Sequence, residues 1–221
     1  MPRSNRKWNR LIGCSAFLLC IIKLSAGQSA DSRVESNTFI SPENPKLQIV
    51  VSKKLAYLGS APFVIDKIAA GNRFIFVRAT ADKRVQQMFI IQQEGFLPSS
   101  NDTYKYPITN PVKLGTADYR HSVSIDDNDA AVREAPEKEA GITKRFLESR
   151  GYKLNAALIM SRFARPADAA HKHEIILFCF EDLSDYGHTL ADFPENSDSP
   201  EKQAIKKKVD DNCREAFRIV E

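Results

Sequence analysis

The sequence predicts an α+β fold: a curved antiparallel sheet of about six to eight strands with a mid-chain helix and a C-terminal helix packed on it. Short apolar runs rich in Phe, Ile and Val fill the first part of the chain, and two later segments carry helix signals. Strands therefore precede a helix, two more strands and a last helix, which is typical of this class. We expect the sheet to close over a cavity, with the last helix as its lid or plug.

Residues 71–98 predict the central hairpin of this sheet. Two apolar runs, 74–77 and 88–91, flank a polar segment at 80–84 and contain neither Gly nor Pro. Because every position in both runs is apolar, both faces of these strands are expected to be buried. Further strands are predicted at 46–52, within 54–66, at 104–106 on the sheet edge, at 119–125, at 156–163 and at 173–181.

Two helices are predicted from their end signals. Residues 136–150 begin with proline, carry acids early and bases late, and precede a glycine. The last helix, 200–220, follows Ser199, a residue type preferred at the N-cap. Its apolar residues form one stripe at helical spacing: Ile205, Val209, Cys213, Ala216, Phe217 and Val220. This stripe is expected to dock on the sheet.

The chain is predicted to comprise a signal peptide at 1–27, a flexible lead-in at 28–45 and a single α+β domain at 46–221. The first segment combines a basic start, an uncharged apolar run of 12 residues and small residues after it. That run is shorter than the roughly 20 residues of a spanning helix. We expect a secreted or periplasmic protein, cleaved near 27–30, with no stable membrane insertion afterwards. An uncleaved anchor and a buried helix are the alternatives.

The net charge of +4 comes from the predicted signal peptide. Five of the 32 Lys and Arg residues lie in residues 1–27, which contain no acid, so 27 basic residues remain against 28 acidic ones. A mature chain this close to neutrality gives no electrostatic reason to expect a nucleic-acid partner.

Two of the four cysteines, Cys14 and Cys20, would leave with the signal peptide. Cys179 and Cys213 remain, in a compartment that permits oxidation. Cys213 belongs to the stripe of the last helix and Cys179 to a strand that reads as buried, so a disulfide can join them. Because neighbouring strand residues alternate faces, the alternative is that Cys179 points away from the helix and both are buried thiols.

Common catalytic and cofactor motifs are absent from the sequence, which contains no glycine-rich phosphate loop, Gly-x-Ser-x-Gly, His-Glu-x-x-His or Cys-x-x-Cys. No cofactor is therefore expected. The densest polar cluster lies in the last predicted hairpin loop and its strand ends, and we take it as the candidate ligand-binding site: Arg162, Arg165, Asp168, His171, His173 and Glu174.

Two histidines of this cluster suggest a metal site as an alternative. His171 and His173 would project to one side of an extended backbone and could share a metal ion. The third ligand would be Asp168, Asp185 or His188. The simpler alternative is a solvated hairpin tip without a metal.

Arginines at the ends of the predicted central strands form a second candidate site: Arg73, Arg78, Arg162 and Arg165. If they gathered at one rim of the sheet, they would suit an anionic ligand. The alternative is that they face solvent and pair with acids such as Glu94 or Glu181.

Two functions follow from these patterns. The first is an exported, non-catalytic binding or interaction domain with an unknown ligand or protein partner. The second is a small extracytoplasmic enzyme, metal-assisted if anything, that uses the His171/His173 loop. We favour the first, because no pattern combines a nucleophile, a base and an orienting group. An apolar cavity closed by the last helix would favour binding, and a deep polar pocket at the loop would favour the enzyme.

Overall fold

The computed structural model describes residues 32–108, 111–194 and 197–220, so the predicted signal peptide at 1–27 lies outside the described residues. Within these ranges the chain forms three α-helices: α1 (Asn128–Glu134), α2 (Glu139–Glu148) and α3 (Pro200–Ala216). The same ranges contain eleven strands: β1 (Arg33–Glu35), β2 (Thr38–Ser41), β3 (Leu47–Val51), β4 (Ala56–Ile65), β5 (Ala69–Ala79), β6 (Val85–Phe96), β7 (Val112–Leu114), β8 (Ala117–Asp127), β9 (Ala157–Pro166), β10 (His173–Asp182) and β11 (Phe217–Val220).

The larger sheet has seven strands in the order β4-β5-β6-β10-β9-β8-β7, and its neighbouring strands are antiparallel. This architecture, with mid-chain helices and a C-terminal helix, confirms the predicted α+β class. The sheet is not closed, because the edge strands β4 and β7 do not pair with each other. The expected closure over a cavity is therefore wrong.

The two faces of this sheet belong to different parts of the core. The front face, which carries Phe76, Phe89 and Leu177, packs against β2, β3 and the end of α3. The back face, which carries Ile90 and Phe178, packs against α2. The prediction that the central hairpin is buried on both faces is thus confirmed for β5 and β6.

A second sheet of four strands, β1-β2-β3-β11, was not predicted. The flexible lead-in expected at 28–45 is wrong over 33–41, where β1 and β2 form a hairpin. Phe39 supplies the anchor, since its ring is fully buried and lies 4.8 Å from that of Phe74. The buried Phe39 ring and the pairing of β2 with β3 together hold this hairpin on the front face.

The C-terminal helix is shorter than the predicted 200–220. Helix α3 ends at Ala216, and Phe217–Val220 turn into strand β11, which pairs with β3. The spacing of the apolar residues fits a helix through Val220. However, the edge of β3 has backbone groups that would stay unpaired if 217–220 were helical, and strand β11 pairs with them. Phe217 remains buried, because its ring stacks on Phe89 with centroids 4.9 Å apart.

The mid-chain region contains two helices instead of one. Helix α2 falls within the predicted segment 136–150 but begins three residues later. Helix α1 was not predicted, and Asp127 caps it by accepting a hydrogen bond from the Ala130 amide.

A disulfide joins β10 to α3. Cys179 lies on the front face, so it faces the helix, and its Cα atom is 5.7 Å from that of Cys213. The alternative of two separate thiols therefore does not describe the structure. No helix in the described ranges has the length and apolarity to cross a membrane.

Candidate functional site

The predicted polar loop between β9 and β10 holds a neighbouring segment in place. His171 Nδ1 lies 3.1 Å from the Tyr104 carbonyl oxygen, and the Tyr104 amide donates to the His171 carbonyl. Lys172 Nζ donates to the carbonyl oxygens of Ser100 and Asp102, at 3.0 and 2.7 Å. The edge strand expected at 104–106 is wrong: these residues have irregular structure, and their backbone bonds to the loop instead.

The loop does not assemble the metal site that the histidines suggested. His173 Nδ1 contacts the Asp168 carboxylate, whereas His171 binds a carbonyl. Of the other proposed ligands, Asp185 pairs with Arg84 and His188 approaches Glu201. Among the described residues, no group of three or more His, Cys, Asp or Glu side chains is arranged to hold a metal ion.

Strand alternation divides the remaining predicted site residues between the two faces. Arg162 and Glu174 lie on the back face, where Arg162 Nη2 is 3.8 Å from Glu174 Oε1. Arg165 lies on the front face, with its guanidinium carbon 5.3 Å from the ring centroid of Tyr119. The six residues proposed from the sequence therefore do not form one site.

The four strand-end arginines are divided in the same way. Arg78 faces a small front-face pocket beside Gln87 and Glu181. Arg73 and Arg162 meet on the back face, where their guanidinium carbons lie 5.3 and 5.8 Å from the ring centroid of Phe178. The structure thus brings two of the four arginines close to one aromatic ring.

Arg73 is buried, and two of its guanidinium nitrogens lack a hydrogen-bond partner among the described residues. Only 2% of the residue is exposed, and its Nε and Nη1 atoms have no hydrogen-bond partner in the part of the chain that the structure describes. Burial lowers the pKa of Arg73 to about 10, against the opposing charges of Glu139 and Glu94, so the guanidinium remains a cation at neutral pH. Burying a cation without a partner costs folding free energy, so a buried cation is usually paired or belongs to a functional site.

A carboxyl pair lies next to the two arginines on the back face. Glu94 on β6 and Glu174 on β10 stand directly opposite each other in the strand register, and both are buried. The Tyr104 hydroxyl donates to Glu94 Oε1 at 3.0 Å, and the Tyr106 hydroxyl donates to Glu174 Oε1 at 2.5 Å. Gln92 Nε2 also donates to Glu94. The loop that holds residues 104–106 therefore positions both phenols over the pair.

Burial is the main cause that raises the pKa values of both carboxyl groups. The pKa of Glu174 rises to about 7, because burial and the charge of Glu94 outweigh the hydrogen bond from Tyr106. Burial likewise raises the pKa of Glu94, against its bonds from Gln92 and Tyr104. Burial and the neighbouring carboxylates raise the pKa values of Tyr104 and Tyr106, so both phenols stay neutral donors.

A cleft of about 1130 Å³ opens on the back face, between the sheet, α1 and α2. Arg73 and Arg162 line it, and the carboxyl pair, which is not part of the lining, is next to Arg162 through Glu174. Its apolar lining comes from the sheet, the α2–β9 connection and the segment before α3: Met88, Leu154, Leu158, Met160, Ile176, Phe178, Phe180, Leu190 and Phe193. Asn128 also lines the cleft, and its buried Nδ2 atom has no partner among the described residues.

This cleft matches neither feature that was expected to separate the two functions. The last helix does not close it, since only Lys202 and Lys206 of α3 reach its wall. The His171 loop contributes no lining residue either. The cleft therefore lies beside α1 and α2, against the neighbouring strands β5, β6, β10, β9 and β8.

A cluster of Ser161, His121 and Asp210 on the front face resembles a nucleophilic triad only in composition. Ser161 Oγ donates directly to Asp210 Oδ1 at 2.7 Å, and His121 Nε2 lies 2.8 Å from the same oxygen. In a nucleophilic triad the imidazole stands between the serine and the carboxylate. Here the serine is fully buried and bonds to the carboxylate, so the cluster anchors α3 to β8 and β9.

Glu94, Gln92 and the two tyrosines were missed as site residues. One signal was present in the sequence: Gln92 and Glu94 extend a strand at positions i and i+2, so they share a face with Met88 and Ile90. Two polar residues on the inner face of a central strand indicate a buried polar site. The position of Glu174 opposite them depends on the pairing of two strands that are distant in sequence.

The chain matches no known protein family, no curated protein and no solved structure. The fold and the cleft define an α+β domain with a cavity of ligand size, and the functional proposal rests on the geometry of that cleft.

Proposed function

We propose that the protein is an exported, non-catalytic binding domain whose cleft takes a small organic anion with an apolar body. One observation carries the proposal: the buried Arg73 guanidinium lines the cleft, and its Nε and Nη1 atoms have no hydrogen-bond partner among the described residues. An anionic group of a ligand would supply the missing acceptors for its Nε and Nη1 atoms.

The second arginine strengthens the argument for an anion. Arg162 lies beside the same Phe178 ring, and its only ion pair with a described residue is the 3.8 Å contact to Glu174. A carboxylate, sulfonate or phosphate group between the two guanidinium groups could accept hydrogen bonds from both. Such charge-assisted bonds are among the strongest polar contacts in proteins.

The rest of the cleft suits an apolar body. Its volume slightly exceeds the usual range for small-molecule pockets, and most of its lining side chains are aliphatic, aromatic or methionine. The cleft therefore combines a mainly apolar wall, as is usual for a ligand site, with charged groups of both signs. The basic lining residues are Arg73, Arg162, Lys202 and Lys206, and the acidic ones are Asp126, Asp127, Glu134 and Glu139.

Export is the second part of the proposal. It is supported by the basic start, short apolar run and small residues at 1–27, and a disulfide between Cys179 and Cys213 fits an oxidising compartment. N-terminal sequencing of the protein recovered from an exporting host should find a start near residues 28–31. Recovery of a soluble product with 1–27 intact would contradict export.

Ligand binding is tested with two probes that differ only in the anionic group: 1-anilinonaphthalene-8-sulfonate and the neutral N-phenyl-1-naphthylamine. Arg73→Met should raise the Kd of the sulfonate about tenfold or more, because it removes charge-assisted bonds worth roughly 1.5–3 kcal/mol. The Kd of the neutral probe should change by less than about twofold.

Arg78→Met is the matched control, because it makes the same change on the same strand but on the front face. It should leave the Kd of both probes unchanged. If Arg73→Met and Arg78→Met bind the sulfonate equally well, the anion site is not at Arg73 and the proposal fails. No observation on the described residues favours the enzyme alternative at the His171 loop, so the binding role is the single candidate.

A further inference from the structure

We propose that Glu94 and Glu174 share one proton and couple anion binding in the cleft to the uptake of that proton. This inference rests on the proposed binding function and adds its regulation by pH. It stands on the placement of the two carboxyl groups, which face each other across β6 and β10 next to Arg162, one of the arginines that would hold the anion.

The hydrogen bonds decide which carboxyl group keeps the proton. Glu94 accepts from both Tyr104 and Gln92, whereas Glu174 accepts only from Tyr106 among the described side chains. The better-solvated group is the better anion. Glu174 is therefore the acid of the pair, and its proton is shared with Glu94, which also acts on it as a hydrogen-bond partner.

The charged groups around the pair come from five elements. Arg73 on β5 and Arg162 on β9 favour the ionised forms of Glu94 and Glu174. The guanidinium carbon of Arg120 on β8 lies 5.6 Å from the ring centroid of Tyr106. Glu139 on α2 opposes ionisation of Glu94. The phenols of Tyr104 and Tyr106, from the loop above, remain neutral. The two arginines are thus the positive charges shared between the pair and a ligand.

Competition for these arginines produces the coupling. When the pair loses its shared proton, its two carboxylates attract the guanidinium groups of Arg162 and Arg73 and repel an incoming anion. When an anion occupies the cleft, it takes over the arginines and the pair retains its proton. Binding therefore raises the pKa of the pair, so the anion binds more tightly below about pH 7, the pKa of Glu174, and less tightly above it.

The test measures the Kd of 1-anilinonaphthalene-8-sulfonate, which stays ionised throughout, between pH 5.5 and 8.5. The Kd should be flat at the acid end and rise by about fivefold or more through pH 7–8.5, with a limit of tenfold per pH unit for one proton. Calorimetry at pH 7.5 in imidazole and in Tris, two cationic buffers with different ionisation enthalpies, should show net proton uptake on binding. This measurement on the parent protein needs no variant to fold.

Glu174→Gln removes the titrating group and should flatten the pH profile while binding persists. Glu181→Gln is the matched control, since Glu181 is a buried glutamate of the same strand on the front face, bonded to Gln87. It should keep the parent profile. Sulfonate binding that depends on Arg73 but has a flat pH profile and no proton uptake would refute the coupling alone. Loss of all Arg73-dependent binding would refute the proposed function as well.

Discussion

Removing the disulfide between Cys179 and Cys213 should destabilise the protein by an amount set by the length of the loop that the disulfide closes. The disulfide ties the middle of β10 to the last turn of α3, and the two cysteines are 34 residues apart in sequence. Both are buried, so reductant reaches the bond mainly when the chain unfolds. The comparison is therefore between oxidised and reduced parent protein and a Cys179→Ala/Cys213→Ala variant.

The magnitude follows from the entropy of loop closure in the unfolded chain. For a loop of this length the chain-entropy relation gives about 4 kcal/mol at 25 °C. For a chain of 150–250 residues, each kcal/mol shifts the melting temperature by about 2–4 °C, so the expected loss is about 8–16 °C.

Urea denaturation followed by circular dichroism, with and without dithiothreitol, measures the difference. The parent should lose about 4 kcal/mol on reduction, whereas the double alanine variant should not respond to reductant. A parent midpoint that dithiothreitol does not move would refute the reasoning. Two free thiols per mature chain, counted in denatured and unreduced protein, would show that the bond does not form.

Three further predictions concern single side chains. Phe217→Ala should lower the free energy of unfolding by about 3–5 kcal/mol, because the ring stacks on Phe89; urea denaturation matching the parent would mean that β11 is loosely attached. Burial acts to raise the pKa of Asp210, but hydrogen bonding to His121 and Ser161 lowers this pKa to about 2. The ionised carboxylate therefore stabilises the fold fully above about pH 4, and this stabilisation disappears as the pH falls through 2. Asp210→Asn should therefore be less stable at pH 7 and lose less stability than the parent between pH 4 and 2; parallel stability curves would contradict this. Without ligand, Arg73→Met should raise the free energy of unfolding by about 1 kcal/mol or more, because it removes unpartnered buried donors; a clear loss in urea denaturation would assign Arg73 a structural role.

Local patterns were reliable where each residue's neighbours in sequence are also its structural context. The apolar runs at 74–77 and 88–91 predicted the central hairpin, and the Ser199–Pro200 pair predicted the start of α3. The alternation of side chains along a strand would also have placed Arg73 and Arg78 on opposite faces of the sheet, because they lie five positions apart.

The end of α3 illustrates where the sequence was insufficient. Phe217 and Val220 continue the helical stripe, so their spacing fits a helix as well as a strand. The open edge of β3, some 170 residues earlier in the chain, decided for the strand, because pairing satisfies backbone groups on both segments. The same strand, β3, also pairs with the hairpin at 33–41. This hairpin was not predicted because the segment contains too few apolar residues.

By itself, the sequence determined the α+β class, the central hairpins and the pair of cysteines available for a bridge, because hydrophobic periodicity and end signals act over a few residues. Only the tertiary structure decided the site. Glu94 faces Glu174, and Arg73 and Arg162 both lie near the Phe178 ring, because β6 pairs with β10 in one particular register. A shift of that register by one residue would have turned one carboxyl group to the opposite face, and no local pattern specifies the register between strands about 80 residues apart.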